Sequence, residues 1–395
     1  MKAVKAQPIM TDASNTFAHH TMEVRLPAII DEMLRVHSRF PALIRDKLVA
    51  LHDEVTANKP IRMIDRPAPD WEYWSKQAWR RRAQRWLETE WFFAEQLFYR
   101  RILEAVRWWE SGQDPFLPMK RAEYGEARHW DLLERALSAT EGETDEQALH
   151  SLLSSSLWGN RIDLSYTASA DLGAHGNDSA DLLIDDRGEA ARLLLSGADG
   201  GSRRDDGTVH IVTDNAGSEL TMDLVLVDAL LRLAGRRVAL HVKLHPTYVS
   251  DATASDVMDS LTLIAERGSR SAGEAAARLR AAFDAGRLRL FPDLYWNSCD
   301  FIGRLPRRLR AAFASAHMVI FKGDANYRRL SSDSIWPAGT SASEAVGSFP
   351  APLLLLRTLK SDTLFGVSAA ATAALDRSDP TWRSNAKRGV AQLIR

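Results

Sequence analysis

The sequence predicts an α/β chain, a three-layer α/β/α Rossmann-like domain with a mostly parallel sheet preceded by an all-helical N-terminal subdomain. Three observations carry that expectation. Before about residue 180 there is no strand pattern, and apolar residues recur at helical spacing. After it, short β-branched or leucine-rich runs alternate with amphipathic helices. Nine of the twelve tryptophans fall before residue 161, so the two parts also differ in composition. Strands alternating with helices indicate βαβ units, whose parallel sheets are covered on both faces. The expected division is 1–155 for the helical part and 156–395 for the α/β part.

Glu23 to His52 forms a first amphipathic region. From Leu87, the residues Trp91, Ala94, Phe98, Ile102, Ala105 and Trp109 follow at spacings of three and four, one stripe of a 3.6-residue period. That stripe reads as core rather than as a cofactor box, and Arg80, Arg81, Arg82, Arg85, Arg100, Arg101 and Arg107 take much of the remaining surface. Glu110-Ser111-Gly112, followed by Asp114-Pro115-Phe116, stops the helix. Trp130 to Leu153 is a third helical region. A loop rich in Gly, Asp and Arg, Ser196 to Thr208, then leads into the β-branched run Val209 to Thr213. A helix comes next with Leu220, Leu224, Val227 and Leu231 on one face, closed at Gly235. Further strands are expected at Arg237 to Val242, Leu288 to Phe291, His317 to Phe321 and Pro352 to Leu356, with helices such as Glu274 to Phe283 and Arg307 to Ala316 between them.

The chain has 395 residues, with Lys+Arg 51 against Asp+Glu 52 and a formal net charge of −1. A protein that neutralises phosphates along nucleic acid carries a basic excess, so nucleic acid is not an expected partner. No uncharged run approaches the length that crosses a bilayer, so no membrane is expected either. Met1 to Pro8 has a positive flank but no apolar segment behind it, so no signal peptide is expected. A single cysteine, Cys299, excludes an internal disulfide framework and fits a reducing compartment, hence a cytoplasmic expectation.

In a doubly wound sheet the ligand crevice lies outside the carboxyl ends of the strands. The residues at each strand end are therefore informative: Asp214-Asn215 after the first, His245 to Asp251 after the second, Lys322 to Arg328 after His317–Phe321, and Arg357 to Lys360 after Pro352–Leu356. Asp214, Asn215 and Asp251 offer only oxygen donors, which suit Mg²⁺ or Mn²⁺. The competing reading makes Asp214 or Asn215 the cap of the helix near Gly217, with Glu219 in its first turn, and gives Asp251 the same capping role. Lys322, Asp324, Asn326 and Arg328 lie within seven residues of a strand end, where the two cations and the amide can hold a phosphate, Arg328 bidentately, or the segment forms an ordinary polar loop. Arg357 and Lys360 place two cations at the end of a leucine run. Glu95 and Tyr99 share a helical face and read as helix surface, and His245 as a hydrogen-bonded structural histidine. No Gly-x-x-x-x-Gly-Lys-Ser/Thr, Gly-x-Gly-x-x-Gly, Gly-x-Ser-x-Gly or His-Glu-x-x-His pattern is present.

Taken in order, Leu157-Trp158-Gly159-Asn160-Arg161-Ile162-Asp163-Leu164-Ser165, Asp214 to Glu219, His245 to Asp251, Phe321 to Arg328 and Arg357-Thr358-Leu359-Lys360 resemble the damage-control phosphatase family, in its Arg-Thr-x-Lys branch. Glu95 to Arg101 and Asp114-Pro115-Phe116 add to the resemblance, which runs from about Trp91 to Trp382. One departure is Ala325, where a larger aliphatic residue is usual. The resemblance implies a helical subdomain on an α/β/α domain and a divalent metal (Mn²⁺, Mg²⁺, Co²⁺ or Ni²⁺) held by Asp214, Asn215 and Asp251. It also implies substrate contacts from Glu219, Asp324, Asn326, Tyr327, Arg328 and Lys360. The implied activity is hydrolysis of phosphorylated metabolites, sugar phosphates such as fructose 1-phosphate or 6-phosphate, with Asp214 or Asp324 orienting or deprotonating the attacking water, or forming an aspartyl-phosphate. Two alternatives stand beside it: an S-adenosylmethionine-dependent methyltransferase acting on protein glutamate, and a catalytically silent metabolite-binding protein.

Overall fold

The computed structural model describes residues 6–159, 181–197 and 207–395. Residues 160–165 of the Leu157–Ser165 motif, and most of the Ser196–Thr208 loop, lie outside the described residues.

The N-terminal part is helical, as its apolar spacing predicts. A short helix, Thr16–His20, runs through a π-helical turn, Thr21–Arg25, into α1 (Leu26–Val36). Helices α2 (Ala42–Thr56), α3 (Trp71–Arg80) and α4 (Trp91–Ala105) come after it. The first amphipathic region is thus two helices, parted where Pro41 opens α2. Every residue of α4 is buried, so its arginines do not form a solvated face. Arg100 instead donates bidentately to Asp70, at 2.6 and 2.9 Å, and Arg101 lies 3.3 Å from Glu104 and 3.6 Å from Glu54. Buried arginines persist only when paired in this way. The chain leaves α4 through Arg107, in the left-handed region at φ 58°, so Trp109 sits on a separate short helix, Trp108–Ser111. Trp74, Trp86, Trp91, Phe92, Phe93, Phe98 and Phe116 form an aromatic core that also takes in Cys299. The tryptophan skew reports that core. The third helical region is two helices, α5 (Ala127–Ser138) and α6 (Asp145–Trp158), the latter opened by a Thr144–Gln147 capping box.

Seven strands form the main sheet: β1 (Leu182–Asp185), β2 (Thr208–Val212), β3 (Arg237–Lys243), β4 (Leu288–Asp293), β5 (Met318–Lys322), β6 (Leu353–Thr358) and β7 (Gly389–Ile394), in the order β1-β7-β6-β5-β2-β3-β4. The central strands are parallel, with Val212 opposite His241 on one side and Phe321 on the other, and Lys322 opposite Leu356. This register brings their carboxyl ends to one edge. β7 runs antiparallel to β6, and β1 pairs with β7. The helices between strands that matter for the site are α7 (Ser218–Arg232), α8 (Ala254–Arg267), α9 (Arg270–Asp284), α10 (Arg307–Ala314) and α11 (Gly323–Leu330); Arg187–Leu195, Ala342–Val346 and Ala369–Ser378 are further helices between strands.

One face of the sheet packs Val209, Ile211, Leu240, Ile320 and Leu354 against α6, α7 and α9, and the other packs Val212, Val319, Phe321 and Leu355 against Trp296, Phe313 and Tyr327. α7 is buried from Ser218 to Leu231, not on one face alone, because helices cover the side turned away from the sheet. Leu133, Leu149, Leu152 and Leu157 belong to the sheet's core, so α5 and α6 pack with the α/β layers and the apolar cores run across residue 155. A two-residue ribbon, Gln7–Pro8 against Ser334–Ile335, ties the N-terminal segment to the chain just after α11.

Candidate active site

Two strand ends are stitched together first. After β2 the carbonyl of Asp214 accepts from Ala252 N (2.7 Å), and Ala216 N donates to the Ser250 carbonyl (2.6 Å). Asn215 and Asp251 face each other across an isolated bridge. The side chains of Asp214, Asn215 and Asp251 therefore share one cleft. None of them caps a helix. At α7 the backbone N–H of Ser218 donates to Glu123 Oε2 (2.8 Å), and Gly217, at φ +73°, makes room for that carboxylate, which would sit 2.4 Å from an added Cβ. At α8 the cap is Thr253, in a capping box with Asp256. With both caps supplied by other residues, the capping reading of Asp214, Asn215 and Asp251 is corrected.

The end of β5 brings the next group. Gly323 has φ +78°, and a Cβ there would fall 1.8 Å from Asp214 Oδ2, so only glycine lets this backbone approach the carboxylate. Asp324 accepts through Oδ1 from Arg357 Nε (2.8 Å), Ser361 Oγ (3.1 Å) and the Lys360 backbone N–H (3.2 Å). No described group donates to its other oxygen. Arg357 is fully occupied in holding this turn, donating also to the carbonyls of Thr363 (2.5 Å) and Ser361 (2.9 Å). Lys360 lines the cleft beside Asp214 and Asp324, with no ion-pair partner among the described residues.

The cleft thus gathers Asp214, Asn215, Asp251, Asp324, Arg328 and Lys360, with Glu219 in a small recess beside Asp214. Other expected contacts fall elsewhere. On α11, residues 324, 325 and 328 face the cleft, while 326 and 327 turn into the fold. Tyr327 stacks on Phe365 (4.7 Å between centroids), and its hydroxyl accepts from Phe365 N (3.1 Å), which removes its side chain from substrate. Asn326 donates to the carbonyls of Thr213 (2.9 Å) and Lys322 (2.8 Å), joining β2 to β5 from below. Lys322 is buried 3.2 Å from Glu219 Oε1 and 3.1 Å from Asp223 Oδ1, so it positions Glu219 and does not hold a phosphate. Arg328 is engaged bidentately by Asp333 (2.7 and 3.1 Å) and by Glu95 (2.5 Å).

Glu95 and Tyr99 correct the reading as helix surface: both are buried on α4 and line the cleft, with Tyr248 close to both. Their contacts reach across some 150 to 230 residues of sequence, which helical spacing alone does not reveal. His245 is structural, packed between Trp108 and Trp109 and lowered by burial to a pKa of about 4.

Charge crowding defines the electrostatics. Burial raises the Asp214 carboxyl well above its ordinary range, and Glu219 and Asp251 add to the rise, against a smaller opposing pull from Lys360 and Lys243. Asp251 is also raised by burial, although Lys243 Nζ lies 3.1 Å from it. Asp324 differs: burial raises it, but Arg357 and Arg328 outweigh burial and hold it below the usual carboxylate value. A crowded set of oxygen donors, one of them (Asp214) contacted only by the Asn215 amide at 3.2 Å, suits a hard divalent cation, which relieves the repulsion. Among the described residues no three His, Cys, Asp or Glu side chains form such a group; the set here is two carboxylates and an amide.

Fold and cleft together define a Rossmann-like α/β/α protein with a polar cleft at the strand carboxyl ends, lined on one side by N-terminal helices. Comparison with known proteins places it more narrowly. The family model for the damage-control phosphatase ARMT1-like domain matches residues 6–375, and the chain belongs to that family. It is 27% identical to damage-control phosphatase ARMT1 of Danio rerio, over 98% of this chain and 96% of that one. The Xenopus laevis protein of the same name is 28% identical, over 96% of both chains, and the Homo sapiens one 25% identical, over 95% and 96%. A solved DUF89 family protein from Pyrococcus horikoshii shares the fold, with a TM-score of 0.51 at 14% identity over 96% of this chain and 98% of that one.

Proposed function

We propose that this protein is a metal-dependent phosphatase that hydrolyses small phosphorylated metabolites, sugar phosphates among them. The observation that carries the reading is the convergence of Asp214, Asn215 and Asp251 with Asp324 and Lys360 in one cleft. Its volume, about 270 Å³, suits a single small metabolite. Asp214, Asn215 and Asp251 would hold the cation, which when bound supplies Lewis-acid polarisation of phosphoryl oxygens and a more acidic water. Asp324, kept ionised by Arg357, has one carboxylate oxygen uncommitted and so orients the attacking water and accepts its proton. Lys360 offsets charge on the transferring phosphoryl group, a task of positioning and electrostatics. Tyr99 and Tyr248 close the side of the cleft and limit the length of what enters.

The methyltransferase alternative finds less support. In a Rossmann-like fold the cofactor is commonly cradled at the first helix N-terminus. Here the N-terminus of α7 is filled by the Glu123 carboxylate. The test is phosphate release from a panel of sugar phosphates with Mn²⁺, Mg²⁺, Co²⁺ and Ni²⁺. Activity should vanish in chelator and fall by about 100-fold or more in Asp214→Asn, on the order expected for a displaced catalytic charge. Equal turnover in chelator, or full activity in Asp214→Asn, overturns the reading.

A further inference from the structure

The roof of the cleft is made by the N-terminal segment: Phe17 from the short helix, Thr21 and Arg25 from the π-helical turn, and Leu26 and Ile29 from α1. Single π turns inside helices recur at functional sites because they rotate the residues beyond them. Here the turn carries both of its end residues, Thr21 and Arg25, onto the cleft wall. Arg25 is registered by a row of rings. Its guanidinium lies 5.7 Å from the centroid of Phe17, Phe17 meets Trp91 edge to face at 5.8 Å, and the face of Trp91 carries the guanidinium of Arg328 at 3.6 Å. Roof and wall are thereby held in register.

Most of the other charges along the cleft are matched, Asp214 excepted. Arg328 has Glu95 and Asp333, Asp324 has Arg357, and Asp251 has Lys243. Among the described residues, Lys360 and Arg25 are the cations lining the cleft that have no carboxylate within ion-pair distance. They come from different parts of the fold, Lys360 from the strand ends and Arg25 from the N-terminal segment. An open guanidinium presents a planar fork that matches a carboxylate or a phosphate. In the phosphatase reading Lys360 meets the reacting phosphoryl group, which leaves Arg25 for the other end of the bound molecule.

We propose that Arg25 binds a second anionic group, a carboxylate or a phosphate, at the non-reacting end of the substrate, so that the cleft selects metabolites carrying an anion at each end. The proposal rests on the phosphatase reading. Its test compares wild type, Arg25→Gln and Arg25→Lys on three substrates: a hexose monophosphate, a hexose bisphosphate and a phosphorylated aldonic acid. In Arg25→Gln the KM of whichever doubly anionic substrate is recognised should rise relative to that of the monophosphate, by roughly tenfold or more. The change should fall in KM and not in kcat, and Arg25→Lys, which keeps the charge but loses the fork, should lie between. The bisphosphate and acid arms tell which anion is read. An unchanged KM ratio for both overturns the proposal while leaving the phosphatase reading intact. If wild type turns over none of the three with any metal, the phosphatase reading fails, and calorimetry in chelator decides the Arg25 contact. Binding of a doubly anionic ligand weakened by Arg25→Gln supports the contact, and binding indifferent to it overturns it.

Discussion

Gly323 offers the sharpest test of how the site is built. A β-carbon at this position would stand 1.8 Å from Asp214 Oδ2, 2.2 Å from its Cγ and 2.7 Å from its Cβ, against the roughly 3.5–4.0 Å of ordinary contact. Gly323→Ala therefore does two separable things. It forces an L-residue to φ +78°, at a cost of about 1–2 kcal/mol, and it drives the Asp214 carboxylate back by more than an ångström. Gly112 supplies the control, because at φ +66° its added Cβ would meet nothing within 4 Å. Gly112→Ala should lose the backbone term alone and keep full activity. Gly323→Ala should be less stable than that control by a further ~1–3 kcal/mol and lose about 100-fold or more in metal-dependent phosphate release, the loss typical of a misplacement of about 1 Å. Combining Gly323→Ala with Asp214→Gly removes all three clashing atoms. The two changes should then be non-additive in stability by about 1 kcal/mol or more, although activity stays lost. Denaturant unfolding and a phosphate-release assay on these variants settle the matter. If Gly323→Ala matches Gly112→Ala in both stability and turnover, the close approach of β5 to Asp214 is not what shapes the site.

Buried charge leads to two further outcomes. Lys322→Met strands Glu219 and Asp223 without their shared cation, and unfolding should show a loss of about 3–5 kcal/mol, part of which returns on adding Asp223→Asn. His129 is held neutral by burial, its pKa lowered to about 4, beside Ser218 Oγ at 2.9 Å. Because the folded value lies below the unfolded one, its contribution to stability is full above about pH 6.5 and is lost as pH falls toward 4. The stability of His129→Gln relative to wild type should improve through that window, by about 3 kcal/mol at most, and a pH-independent difference would refute the assignment.

The centre of the sheet was legible because β-branched and leucine runs such as Val209–Thr213 and Leu353–Leu356 are buried on both faces and read as continuous apolar stretches. The strands β1 and β7, at one side of the sheet, were not. Gly389–Ile394 carries a glycine and a glutamine, and its antiparallel return comes after a helix and a loop that give no strand signal. The acids after β2, β3 and β5 were legible because strand carboxyl ends are where an α/β site forms. Their partners were not, since Glu95–Arg328 and Glu123–Ser218 join residues far apart in sequence and Arg328–Asp333 spans five residues past the end of α11, none of them at a helical or strand period. The side chains of Asn326 and Tyr327 were misplaced for a related reason: a loop motif says nothing about helical phase, and α11 begins at Gly323, which turns these two residues inward.

A net charge of −1 conceals how the cations are used. Lys243, Lys322, Arg328 and Arg357 each lie on a strand or helix that ends at the cleft, and each is buried against a carboxylate that borders it. Buried ion pairs are weak contributors to stability, because desolvation offsets most of the Coulomb attraction. They are effective at fixing orientation, since a charge taken out of water has few acceptable positions. The strand-end cations accordingly serve as a supporting layer. Lys322 fixes Glu219, Lys243 fixes Asp251, and Arg357 fixes Asp324 while leaving one of its oxygens to the cleft. With these cations committed beneath or beside the carboxylates, the positive charge offered to a ligand comes down, among the described residues, to Lys360 and Arg25. Neither the overall charge nor the density of basic residues along the sequence distinguishes those two from the rest; only their lack of a carboxylate partner does.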